Sequence, residues 1–444
     1  MPKRRFPIKL EEIYICPSYD TLAFAKLMEK LDDPLPVPLC GIVIDYPGSL
    51  YQKSDRVSAV SRLRDIHQLG IADRQANHSS ACGTRYSHSL LVAAKMDLKA
   101  QQLGLNRTEA VLSGMHHDIA STPFSDSVAK ALELNDEEYF LSVLNRCPEA
   151  LELLESEKFS IKTLCKMVNG QDKSPLGQLL SSKGSIDIDR WSYVVADALN
   201  VGQAYLVQGD PFGSENQRLV SHEGIPYRHR GIRGMANLFG RILEKIKEVD
   251  PFEAARVYKD QVVFEDIGAV TKFLEARVCM FTKEYANGHL RAREAFFGEL
   301  LGRMREVRVI NDSEMFSMSE AELERRCNVY DAESSRKIFD RGTAFSRYGL
   351  FDYKTDETAL RKFLSRRVET EFLIKSDKPI NPALETPIYD SGTVTPYQIL
   401  RPEHAKHIRR ELKKFKALAV YGPEGNQDLE AATQKAKTRF KSYE

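Results

Sequence analysis

From about residue 55 to 310, apolar residues return at helical spacing in one segment after another, and several of these segments end at a helix-stopping glycine. That pattern favours packed helices over a sheet sandwich. "RVSAVSRLRDIHQLG" sets Val57, Val60, Leu63, Ile66 and Leu69 at helical spacing and stops at Gly70, a residue suited to the left-handed position beyond a helix. "SLLVAAKMDLKAQQLG" repeats the arrangement. "NRTEAVLSGMHHD" opens with Asn106 as N-cap and Glu109 three residues on, close to a capping box, and carries His116, His117 and Asp118 to its C-terminal end. Helices continue through "LGQLLSS", "IDIDRWSYVVADALNVG", "MANLFGRILEKIKEV" and "VTKFLEARVCMFTKEYANGHLRAREAFFGELLGRMREV". Residues 203–235, with glycines, prolines and "YRHRGIRG", read as a loop or small hairpin.

This core, residues 51–310, has different neighbours on each side. Residues 1–50 mix Pro-rich turns with short β-branched runs and read as a lead-in of loops and short strands; residues 311–427 turn to an α+β texture; residues 428–444 are a charged surface helix or tail. In the α+β part, "MSEAELERRC" reads as helix, "ETEFLIKS" and "TPIYDSG" as strands, and about 402–417 as a basic helix. The expected class is mainly α, with a helical core and a smaller C-terminal α+β lobe. A net charge of +1 gives no global field to attract nucleic acid or a membrane. Seven scattered cysteines without a C-x-x-C pair argue against a disulfide framework and for a reducing cytoplasm. The apolar runs are too short to span a bilayer, and "MPKRRFPIKLEEIY" lacks the apolar centre of a signal peptide, so the expected location is cytoplasmic.

The chemistry-bearing residues lie in the core. In "IDIDRWSYVVADALNVG", Asp189, Tyr193 and Asp197 fall at i, i+4 and i+8 on one helical face beside Arg190, while Ile188, Trp191, Val195 and Leu199 form an apolar face. Such a helix borders a polar pocket; taken alone, it is equally a surface helix with solvated charges. "TRYSHS" adds Arg85 and His88 at the start of another helix. His88, His117 with Asp118, and Asp189 thus come from three separate helices, which is how metal sites form between helices of a bundle. Two imidazoles and two carboxylates suit a divalent ion such as Mn²⁺, Fe²⁺ or Mg²⁺ better than a structural zinc.

In order, these residues match an H…HD…D signature, and the chain resembles the HD-domain phosphohydrolases, more closely the deoxynucleoside triphosphate triphosphohydrolases. "RLRDIHQLG", "TRYSHS", "HDIASTPFSD" and "DIDRWSYVVAD" are similar to that family's motifs, and Arg277 and Tyr285 keep its eight-residue spacing. The resemblance runs from about residue 45 to 300. It implies an HD-type core in which His88, His117, Asp118 and Asp189 hold the metal. It further implies that Arg85, Arg190 and Arg277 grip a triphosphate, Tyr193 reaches a phosphate oxygen, Gln68 and Asp197 bond the sugar 3′-hydroxyl, and Leu69 and Tyr285 crowd the 2′ position. The implied reaction is attack of water at the α-phosphorus of a dNTP, releasing deoxynucleoside and triphosphate. Arg64 stands where activated relatives contact an effector nucleotide, although Ser61 replaces a glutamine they use. Relatives often form dimers or tetramers, and some deplete dNTPs in antiviral defence.

The chain departs from the family where protons move. Asp126 and Ser121 stand at positions usually held by histidine, and a third family histidine falls in a segment that here reads "NDEEYF". Asp126, His116 and Glu138 are the acid–base candidates that remain. Two other readings stay open: an HD phosphohydrolase of nucleoside monophosphates or cyclic nucleotides, and a scaffold without catalysis that binds nucleotides or nucleic acid through "EHAKHIRRELKKFKAL" and "YRHRGIRG". Those basic stretches are equally a solvated helix and loop.

Overall fold

Helix α1 (Arg85–Leu103) is bounded by Thr84, whose side chain accepts from the Ser87 amide, and by left-handed Gly104. It packs closely on α2 (Arg107–His116), capped by Asn106. The contact needs Gly114, because a Cβ there would lie 2.4 Å from the Ala93 Cα. The computed structural model describes residues 36–39, 42–45, 50–71, 83–200, 248–285, 288–339, 345–352, 354–369, 372–376, 381–413, 417–440 and 442. The fold is mainly helical with a smaller α+β lobe. The α1–α2 pair shares its core with α4 (Asp136–Asn145), α5 (Ile188–Asn200) and α6 (Ile267–Met280), while α3 (Asp126–Ala131) packs on α7 (Gly288–Glu306) in a second core. The main core gathers Leu63, Val92, Met115, Trp191, Val195 and Phe273, so the apolar face read for α5 is buried as expected. The side chain of Leu199 lies outside the described residues, as do the loop read at 203–235 and nearly all of "MANLFGRILEKIKEV".

Strands β1 (Pro36–Leu39) and β2 (Ile42–Asp45) pair antiparallel. Strands β3 (Ala255–Tyr258) and β4 (Gln261–Phe264) join β7 (Pro387–Asp390) and β8 (Thr393–Pro396) in the order β3-β4-β7-β8, with β4 and β7 parallel at Phe264 and Ile388. Strands β5 (Phe345–Asp352) and β6 (Leu373–Ser376) flank β9 (Ala417–Pro423). The expected helix at "MSEAELERRC" is α8 (Glu320–Tyr330), and the basic helix is α9 (Pro402–Lys413), whose Ala405, Ile408 and Leu412 are buried in the main core. Residues Gln427–Lys437 form α10, which buries Leu429, Ala432 and Ala436 and is therefore not a free tail.

Two local expectations need correction. The helix read through "RVSAVSRLRDIHQLG" ends in a 3₁₀ turn at Arg62–Asp65; beyond it His67 bridges to Thr84, and Glu320 accepts from both the His67 amide and ring. Gly70 is left-handed as expected, but for a tertiary reason: a Cβ would lie 2.2 Å from the Phe124 carbonyl oxygen. The second concerns "STPFSDS", where Thr122 followed by Pro123 has the sequence form of a helix N-cap with proline at the first helical position. Thr122 does not cap a helix, since its hydroxyl donates to the Ser125 carbonyl at 2.8 Å, and α3 starts only at Asp126. Between them Phe124 (φ 55°) and Ser125 (φ 52°) occupy the positive-φ region that costs a side-chain-bearing residue energy.

Candidate metal centre and active site

Three helix ends meet at one point. His88 sits in the first turn of α1, His117 caps the C-terminus of α2, and Asp189 lies in the first turn of α5. His88 Nε2 is 3.0 Å from Asp189 Oδ1 and 3.3 Å from His117 Nε2, and His117 Nε2 is 3.8 Å from Asp189 Oδ1. Donor atoms bound about 2.1 Å from one octahedral ion stand about 3 Å apart, so this spacing fits a single divalent cation. The His117 ring is oriented for it: Nδ1 donates to the Gly114 carbonyl at 2.8 Å, so that Nε2 faces the cluster. His88 is 3% exposed. These three residues form a group able to hold a metal ion. Asp118 stands beside them, 3.7 Å from His117 Nε2 and 3.8 Å from His88 Nε2, and accepts from Arg85 at 3.0 Å.

Charge is tightly balanced here. Burial lowers the proton affinity of His117, but Asp118 and Asp189 outweigh it and lift its pKa to about 9. Burial likewise disfavours ionised Asp189, and the two imidazoles more than offset it, holding the carboxyl well below its ordinary range. Arg85 lies among the acids. Its Nε donates to Ser125 Oγ at 2.7 Å, and its Nη2 donates to Asp126 at 2.8 Å.

A cavity of about 110 Å³ opens beside the cluster, lined by His117, Asp118, Asp189, Asp136, Glu137 and Ser181 among others. It has room for an ion, water and a phosphate group rather than a nucleoside. A larger hollow of about 400 Å³ near Leu141 and Cys165 has no carboxylate or histidine in its lining.

Asp136 is the residue that the sequence reading passed over. It is the first residue of α4, and its Oδ1 is buried with no hydrogen-bond partner among the described residues. Burial first, then the negative charges of Asp126 and Asp118, raise its pKa to about 7 despite Arg85 and Arg62 nearby. The signal was present in "NDEEYF": Asn135 is an N-cap, which makes Asp136 the residue at the helix mouth.

The acid–base candidates fare differently. His116 is fully buried and turned into the core, with Nδ1 donating to the Leu112 carbonyl and burial lowering its pKa to about 4. Glu138 is exposed and accepts from Asn135 Nδ2 at 2.9 Å; neither residue lines the cavity. Asp126 is 60% exposed in its side chain and pairs with Arg85 at 2.8 Å and Lys130 at 3.5 Å. Those cations overcome desolvation and hold it below the ordinary carboxylate range.

Of the residues named for substrate, four cluster along α5, α6 and the π-helical turn Phe281–Tyr285 that follows α6. The Tyr285 hydroxyl donates to Asp197 Oδ2 at 2.5 Å, Arg277 Nε donates to the Tyr193 hydroxyl at 3.3 Å, and Arg277 Nη1 donates to the Asn381 carbonyl at 2.6 Å. Asp189 and Asp197, eight residues apart on one helix, are separated by roughly 12 Å of rise. Arg190 does not join them: it is committed to Asp187 and to the carbonyls of Ser182 and Ser185 at 2.7 and 3.0 Å. Gln68 and Leu69 are half-buried next to His67, and Gln68 Oε1 is buried without a partner among the described residues. Arg64 pairs with Asp55 and lies 4.0 Å over the Tyr86 ring.

No family model matches the chain. Over 148 residues it is 31% identical to an uncharacterised protein of Methanocaldococcus jannaschii, taking in 32% of this chain and 29% of that protein, so it spans under a third of that relative's length. Solved structures share its fold. A hypothetical protein from Aquifex aeolicus superposes with a TM-score of 0.61 at 19% identity, covering 89% of this chain and 96% of that one. A phosphohydrolase from Bacteroides thetaiotaomicron VPI-5482 gives 0.60 at 17% identity, covering 86% and 97% respectively. No helix among the described residues is long and apolar enough to cross a membrane. The chain therefore has the fold of a solved phosphohydrolase, with a cluster able to hold a metal ion between its helices.

Proposed function

We propose that this chain is a metal-dependent phosphohydrolase that converts dNTPs to deoxynucleosides and inorganic triphosphate. The observation that carries the reading is the convergence of His88, His117 and Asp189 on a cavity that also exposes Asp118 and Asp136. A divalent Mn, Fe or Mg ion held there would polarise a phosphate oxygen and an attacking water. The chain's own residues supply the rest. The water oxygen bonds to the α-phosphorus as the bond to the 5′ oxygen breaks. Protonated Asp136 gives its proton to that leaving oxygen, and ionised Asp126 takes one from the water. The two carboxyls are suited to opposite tasks because one is held near 7 and the other below its ordinary range. Arg85 and Arg277 neutralise phosphate charge. Tyr193, which accepts from Arg277, reaches a phosphate oxygen, and the sugar end belongs to Gln68, Leu69, Asp197 and Tyr285, the 3′-hydroxyl replacing Tyr285 as the partner of Asp197.

One observation favours a second reading. With Arg190 held by Asp187 and two carbonyls, one of three expected triphosphate arginines is spent on the fold. Two arginines suit a smaller phosphate ester, such as a nucleoside monophosphate or cyclic nucleotide. The test is product analysis after incubation with single and mixed dNTPs and Mg²⁺ or Mn²⁺, the mixture serving any effector site near Arg64. Deoxynucleoside plus triphosphate supports the first reading. Turnover confined to monophosphates or cyclic nucleotides selects the second, and pyrophosphate with dNMP overturns the assignment of the bond.

A further inference from the structure

We infer that Glu320, on the first turn of α8 in the C-terminal lobe, is a positioning residue for this site: it clamps the two loops that carry the substrate and phosphate sides in register. This rests on the phosphohydrolase reading above. Glu320 is only 4% exposed and lies far from the metal-binding residues in sequence. Its Oε1 accepts from the His67 amide at 2.7 Å and from the Phe124 amide at 3.2 Å, and its Oε2 meets His67 Nδ1 at 2.7 Å. One carboxylate thus joins the segment bearing Gln68 and Leu69 to the turn that leads into Asp126.

The turn needs such a clamp. Phe124 and Ser125 both hold positive φ, a conformation that survives only where surrounding contacts over-determine it. What the turn presents is chemically specific. Ser125 Oγ accepts from Arg85 Nε at 2.7 Å, and Arg85 in turn donates to Asp118 at 3.0 Å and to Asp126 at 2.8 Å. A relaxed turn would withdraw Ser125 and leave Arg85, and with it both carboxylates, without a fixed orientation. Arg62 strengthens the same seam, donating to the Met318, Ile119 and Ser121 carbonyls at 3.3, 3.0 and 2.7 Å. The linkage runs from Glu320 through two main-chain amides to the guanidinium between the acids, and Glu320 itself touches none of the reacting groups.

Because the role is hydrogen bonding, a glutamine should replace the glutamate. Its amide oxygen can accept from both main-chain amides, and its NH₂ can donate to His67 Nδ1 in the other tautomer. The experiment compares Glu320→Ala and Glu320→Gln in the full chain by two readouts. The first is amide hydrogen exchange, independent of activity: in Glu320→Ala the His67 and Phe124 amides should exchange at least 10-fold faster while those of α2 stay unchanged. The second is kinetic: kcat should fall about 30-fold or more in Glu320→Ala with metal content and KM held within about twofold, and Glu320→Gln should restore kcat to within about threefold of wild type. Unchanged exchange at both amides overturns the clamp, as does a Glu320→Ala protein with wild-type kcat. A loss of kcat in Glu320→Gln equal to that in Glu320→Ala overturns the hydrogen-bonding role. Wild-type protein inactive on every phosphate substrate removes the functional reading, and the exchange readout then judges the clamp by itself.

Discussion

His117 Nδ1 donates to the Gly114 carbonyl at 2.8 Å, and this one bond fixes which ring nitrogen faces His88 and Asp189. The purified protein is therefore expected to carry about one divalent ion per chain, and the His117→Ala/Asp118→Ala double variant to carry little, as read by elemental analysis. Unchanged metal content in that variant would remove the site. In the metal-free cluster His117 keeps its proton up to about pH 9, so metal uptake must expel it. Affinity should fall by about tenfold for each pH unit below that value, measurable by titration calorimetry in buffers of different ionisation enthalpy.

Asp136 gives opposite signs for activity and stability. Asp136→Asn should lower kcat by roughly 10²-fold, the loss typical of a missing general acid, whereas Glu138→Gln and His116→Ala should leave proton transfer intact. The folded pKa near 7 exceeds the unfolded value of about 4. The native chain therefore binds this proton more tightly, and that contribution is full below about pH 4 and lost as pH rises through 7. Metal-free Asp136→Asn should accordingly melt higher than wild type at pH 8, with the gain vanishing towards pH 4.

The hydrogen bond between Tyr285 and Asp197 makes a prediction about sugar choice. Tyr285→Ala should raise turnover of ribonucleotides relative to deoxynucleotides by about 10-fold, on the order of 1.4 kcal/mol of discrimination. The ratio of kcat/KM for paired ATP and dATP reactions measures it, and an unaltered ratio would show that Tyr285 has no part in rejecting the 2′-hydroxyl.

Lys95 is 2% exposed, is ion-paired to the equally buried Asp250, and places its ammonium 4.7 Å over the Trp191 ring. Removing one partner strands a buried charge, so Asp250→Ala should cost about 3–5 kcal/mol in denaturant unfolding. A loss below about 1 kcal/mol would mean that water reaches Lys95.

What the sequence disclosed followed from local periodicity. Asn106 and Glu109 mark the start of α2, so the placing of His117 at its far end was legible, as was the row of Asp189, Tyr193 and Asp197 on α5. The unforeseen features are tertiary. Thr122 and Pro123 look like a cap, but Glu320 and Arg85 hold the next two residues in positive φ and postpone the helix to Asp126. Arg190 looks like a phosphate ligand, but Asp187, three residues earlier, reaches it first. Asp136 was legible only as the aspartate at a helix mouth behind the Asn135 cap, a signature that is the same whether it faces water or a closed cavity. No local pattern reports that Asp118 and Asp126 stand nearby.

The parallel pairing of β4 with β7 at Phe264 and Ile388 has a consequence for the chain during its synthesis. At about 5–20 residues per second, the roughly 120 residues between the two strands take on the order of 6–25 seconds to emerge. Throughout that interval β4 presents an open edge, and Arg277 lacks the Asn381 carbonyl that receives it. The nascent helices can pack early, yet the pocket cannot be finished until a segment far downstream has left the ribosome. Until then, a holdase chaperone or a second nascent copy has an unpaired strand to grasp.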